Sequence, residues 1–111
     1  MLPPMRTSED DPHGIHLRLS AQRALWGAVG PHVEKIYVGY VGMKVRFLAI
    51  VDKDLPDDER EALWDASGEI ISDYPEGWGL DEAFVEIDEG PTDTWLVYQR
   101  YQREIYATPP G

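Results

Sequence analysis

Three histidines, scattered serines and a dense run of carboxylates are the groups in this 111-residue chain with chemistry to offer. His13 and His16 stand at i,i+3, a spacing that two metal ligands can share, but no carboxylate–His pattern of a metal site accompanies them. The absence of cysteine excludes a disulfide, a thiolate metal site and a Cys nucleophile. Ser67 and Ser72 lie outside any nucleophile-elbow pattern, and Ser20 reads as a helix cap. His32, after Gly30-Pro31, is a lone acid or base; a small enzyme or ligand binder built on it would need a deep pocket shared with a carboxylate. Gly39, Gly42, Gly77 and Gly79 fit turns rather than a phosphate-cradling loop. Paired carboxylates do catalysis when two environments split their acidities, and a row on one helix face offers only one environment. The reading is a protein that is not an enzyme, with no metal and no cofactor.

The carboxylates do form such a row. Asp57 to Tyr74 has helical periodicity at about 100° per residue. Leu63, Ala66, Ile70, Ile71 and Tyr74 share one arc, with Trp64 at its edge, and Glu61, Asp65, Glu69 and Asp73 climb the opposite side. Asp57 or Asp58 is the expected cap, and Asp58 with Glu61 has capping-box spacing. Acids in the first turn suit the helix dipole, whereas Glu69 and Asp73 meet its negative end. Like charges at i,i+4 cost a helix about 0.2–0.5 kcal/mol per pair. Neutralising Glu69 and Asp73 should therefore leave the fold intact and raise its stability. The row has two readings, a solvated face or a surface for a basic partner. The expected partner-binding residues are Asp58, Glu61, Asp65, Glu69, Asp73, Glu76 and Trp78.

Composition narrows the class. The net charge is −11, and between Asp52 and Asp93 sixteen acids face two basic residues, while the rest of the chain has a small positive excess. That field repels phosphate, so a direct nucleic-acid partner is disfavoured and a basic protein surface favoured. No apolar run is long enough to span a bilayer. The opening MLPPMRTSEDDPHG lacks the apolar core of an export signal, and the expected location is cytoplasmic.

The elements follow from periodicity and punctuation. Residues 1–14 read as a flexible arm, 15–106 as a single α+β domain and 107–111 as a flexible tail. A first helix is expected over Leu17 to Gly30, capped by Ser20 and ended by Gly30-Pro31. Glu34–Tyr40 and Met43–Val51 alternate as a hairpin around Val41-Gly42. After the acidic helix, PEGWG is a breaker, with Trp78 tucked against the core edge. Strands follow over Glu82–Asp88 and Thr94–Gln102. The order α-β-β-α-β-β predicts a four-stranded, mainly antiparallel sheet with two helices on one face. The other face would expose Tyr37, Leu48, Ile50 and either Trp95 or Tyr98, a patch for a homodimer or another partner.

The segments RLSAQRALWGAVGPHVEKIYVGYVG and DDEREALWDASGEIISDYPEGW resemble those of small single-domain bacterial immunity proteins that accompany polymorphic or contact-delivered toxins. The resemblance spans about Arg18 to Tyr101. It implies an inhibitor that binds a cognate toxin domain, many of which are basic nucleases. An acidic face would complement such a toxin through charge-assisted hydrogen bonds and steering. A non-catalytic regulatory or structural module, homodimeric through the open sheet face, is the alternative.

Overall fold

The computed structural model describes residues 11–100. Its elements are α1 (Pro12–Leu25), β1 (Val33–Val41), β2 (Lys44–Val51), α2 (Asp57–Ser72), β3 (Gly79–Val85) and β4 (Thr94–Gln99). This is the expected α+β order. The sheet runs β3-β2-β1-β4. β1 is antiparallel to both β2 and β4, whereas β2 and β3 are parallel. A parallel neighbour needs a long return, and α2 supplies it.

Strand alternation builds the core. Ile36 and Val38 of β1 and Val45, Phe47, Ala49 and Val51 of β2 point to the helix side. They meet Leu17, Ala21, Ala24 and Leu25 of α1 and Leu63, Ala66 and Ile70 of α2. Burying a side chain such as Phe47 or Leu63 contributes about 1.5–3 kcal/mol. Trp95 belongs to this core and Tyr98 packs against it, so neither sits on the free sheet face.

Several boundaries differ from expectation, each for a local reason. α1 starts at Pro12, inside the stretch read as an arm, because Asp11 is its N-cap and accepts from the His13 N–H at 3.1 Å. Proline at the first helical position completes that start. Ser20 is therefore a buried mid-helix residue, not a cap. α2 has Pro56 as its N-cap with no side-chain cap bond, and Asp57 and Asp58 lie in its first turn. β3 begins at Gly79, whose N–H donates to the Met43 carbonyl at 2.9 Å, and it ends at Val85. Residues 101 and 102 of the expected fourth strand, like the 107–111 tail and most of the 1–14 arm, lie outside the described residues.

The strand order dictates one more feature. β3 and β4 occupy opposite edges, so residues 86–93 must cross the sheet face away from the helices. Asp88 fastens that crossing to β1, accepting from Lys35 Nζ at 2.8 Å and the Tyr37 hydroxyl at 2.9 Å, while its other oxygen accepts from Gly90 N–H. Where the chain descends onto β4, a Cβ on Gly39 would sit 2.2 Å from the Asp93 carbonyl oxygen, so only glycine fits. The sheet face expected to be open is thus bridged: Ile50 is fully buried and Tyr37 is clasped.

Two tests follow from the crossing. Gly39→Ala should lower unfolding stability by about 1–3 kcal/mol, as overpacking does. Gly68→Ala, on the open side of α2 with nothing within 4 Å of the added Cβ, should raise it by up to about 1 kcal/mol. Urea midpoints of the two variants check both signs. The Lys35 ammonium, then the Gly90 N–H and the Tyr37 hydroxyl, hold the Asp88 carboxyl down at about 2, against an unfolded value of about 3.9. The clasp therefore adds stability above about pH 4 and loses it as pH falls toward 2. Asp88→Asn should lower the melting temperature at pH 7 and flatten its fall between pH 4 and 2.

Candidate functional site

α2 is amphipathic with its two faces put to different uses. Leu63, Ala66, Ser67 and Ile70 are buried against the sheet and α1. The Ser67 hydroxyl donates to Glu82 of β3 and to the Trp64 carbonyl, which ties the helix to its own return strand. Glu59, in the first turn, reaches inward. One of its oxygens accepts from the His32 N–H at 3.0 Å, and the other lies 2.6 Å from His32 Nδ1. His32 does meet a carboxylate, but the two form a clamp between the α1–β1 loop and the start of α2.

On the outward face, Asp58, Glu61, Asp65 and Glu69 are all exposed. Among the described residues no cation pairs with Glu61, Asp65 or Glu69. Glu76 is exposed in the turn beyond the helix. Asp73 is different. It accepts from the buried Ser20 hydroxyl of α1 and pairs with Arg23 at 3.5 Å. It thus joins the two helices, and the expectation that it is an unbalanced acid at the helix end is corrected. Trp78 is half-buried, with its ring 4.7 Å from Tyr74 and 6.2 Å from Tyr40, tucked rather than displayed.

One residue joins this face that periodicity left at its edge. Trp64 is 48% exposed, beside Glu61 and Asp65 on the helix surface. Its ring meets Phe84 edge-on at 6.2 Å, and the Arg60 guanidinium lies 5.2 Å from that same Phe84 ring. The indole is therefore braced from below and open above, the disposition of an aromatic anchor. Its place at the border between apolar arc and acidic row was the available signal.

The model of the MafI2 immunity protein family matches residues 14–102, which run from α1 through β4. This chain belongs to the MafI2 immunity protein family. No curated protein matches it. As a MafI2 immunity protein it has an immunity function against a toxin and a cognate toxin as partner. Among its described residues no helix is long and apolar enough to cross a membrane.

The MafI2 family match covers every face of the fold, so the choice of surface falls to geometry. On the sheet side, the crossing leaves a cleft of about 600 Å³ whose lining includes Arg46, Leu48, Val85 and Ile87. Glu86 and Glu89 stand at the same cleft. Leu48 is half-buried there and Ile50 is sealed, so a charge at Ile50 would break the fold before it could report on a dimer. The helix side keeps its acids and Trp64 exposed.

Asp73 and Glu69 should now separate experimentally. Asp73→Asn removes the Arg23 partner and weakens the acceptor for buried Ser20, and should cost about 0.5–1.5 kcal/mol. Glu69→Gln should leave stability unchanged or slightly higher. Paired urea titrations at low salt measure the difference.

Proposed function

We propose that this MafI2 immunity protein neutralises a cognate bacterial toxin domain by laying the outward face of α2 against a basic surface of that toxin. The observation that carries this reading is the row of Glu61, Asp65 and Glu69, which no cation pairs among the described residues, beside a half-exposed Trp64. Asp58 extends the row at one end, and Asp73, Glu76 and Trp78 border it at the other. The surrounding half of the chain holds sixteen acids against two basic residues, so its field draws a positive partner from a distance.

The mechanism is occupation rather than chemistry. Carboxylates take charge-assisted hydrogen bonds from Lys and Arg, and Trp64 supplies the desolvated centre around which those bonds are shielded. A nuclease toxin suits this surface, because a groove that binds phosphate must itself be positive. We place the encounter in the cytoplasm, where such a toxin would act. The alternative of a module that dimerises through the sheet is less favoured, since the crossing and the Asp88 clasp bridge part of that face.

Reversing the middle of the row tests the proposal. Asp65→Lys with Glu69→Lys should slow association with the cognate toxin at least about tenfold at low salt and flatten the salt dependence of the rate. Stopped-flow binding across a salt series measures both. Unchanged rates would remove α2 from the interface.

A further inference from the structure

α1 carries a second surface that the acidic face does not explain. Ile15, Leu19, Gln22 and Trp26 are spaced four, three and four residues apart, which sets them in one stripe along the helix. Ile15 is 42% exposed, Leu19 60% and Trp26, at the C-cap, 88%. Gln22 is exposed too, and its side-chain amide donates to the Val97 carbonyl of β4 at 3.2 Å. The stripe therefore lies on the solvent side of α1, leaning toward β4. The opposite flank of α1 is engaged with the C-cap of α2 and the turn after it, through Ser20 and Arg23 to Asp73 and the His16–Tyr74 ring contact. Ile15, Leu19 and Trp26 thus leave a contiguous apolar area in water on one helix face.

We infer that this stripe is the seam of a homodimer, packed against the same stripe of a second copy across a two-fold axis. Three observations select that occupant. The four-three-four spacing is that of a short heptad seam. Antiparallel pairing about its midpoint sets Trp26 of each copy against Ile15 of the other, and Leu19 against Gln22, so one surface serves both sides. Charge agrees. α1 contains no acidic residue. Its two arginines are engaged within the chain, Arg23 by Asp73 and Arg18 over the Trp95 ring with its Nε donating to the Gly14 carbonyl. The seam is therefore apolar and close to neutral, in a protein whose net charge of −11 opposes self-association elsewhere. A basic toxin gains nothing from the acidic field at this place. Topology also agrees. α2 lies on the far flank of α1, so in such a dimer the two acidic helices are outermost and each stays open to its own toxin. Among the described residues β4 has a strand neighbour on one side only, and its Thr94–Gln99 span carries no charge, so this flank also lacks the charged residues that guard sheet edges.

The test is sedimentation velocity of the full chain over a wide concentration range, alongside the Leu19→Glu and Trp26→Glu variants. Both sites are exposed, so far-UV circular dichroism should be unchanged. The native chain should rise from one chain mass to two with concentration, and each variant should remain at one while binding toxin as tightly as the native chain. A native chain that stays at a single chain mass throughout overturns the inference. So does a dimer that survives both substitutions, which places the seam elsewhere, and so does a monomer whose toxin affinity falls in Trp26→Glu, which assigns the stripe to the toxin. None of these outcomes depends on whether α2 binds the toxin.

Discussion

The parallel pairing of β2 with β3 is the constraint from which the rest of this structure follows. It requires a return across one sheet face, and α2 makes that return. It also sends β3 to the edge opposite β4, so the chain must cross the other face to begin β4. The crossing then needs an anchor, found in Asp88 on Lys35 and Tyr37, and a strand without a side chain where it passes close, found at Gly39. One face of the sheet is bridged by connectivity. The helix layer is left as the broad surface on which a partner can settle.

Within that layer, apart from the apolar stripe of α1, the charged departures from stability fall on the outward face of α2. Its inward side obeys every packing rule, with Leu63, Ala66 and Ile70 sealed in the core. Its outward side holds like charges at helical spacing, each such pair costing about 0.2–0.5 kcal/mol. It also holds Gly68, which no steric contact requires and which costs about 1 kcal/mol against alanine. Rule-breaking gathered on the outward face of α2 marks a surface shaped by something other than folding. Asp73, which looks like part of the same pattern, is satisfied by Ser20 and Arg23, and so the pattern is centred on Glu61 to Glu69.

Much of this was legible from periodicity. Alternation in β1 and β2 and the 3.6-residue arc of α2 are local patterns, and they give the element order and the α+β class directly. What was hidden depends on pairs distant in sequence. Asp73 looks destabilising until α1 is packed beside it. Ser20 looks like a cap until its hydroxyl finds Asp73 fifty-three residues away. The crossing of 86–93 is invisible without the strand order, and with it the loss of the open sheet face. Two further signals are local: Asp11-Pro12 is a good helix start, and Trp64 stands at the edge of an apolar arc, where it can be displayed.

The central claim is that the toxin sits on the helix layer, over α2, and not on the bridged sheet face. Hydrogen–deuterium exchange of the full chain, alone and saturated with its cognate toxin, tests this most directly. The account predicts slowed exchange over Asp57–Ser72 in the complex, with the 86–93 crossing and the adjoining residues of β1 and β2 unchanged. Protection concentrated on the crossing and the cleft at Arg46, with α2 unaffected, would contradict it.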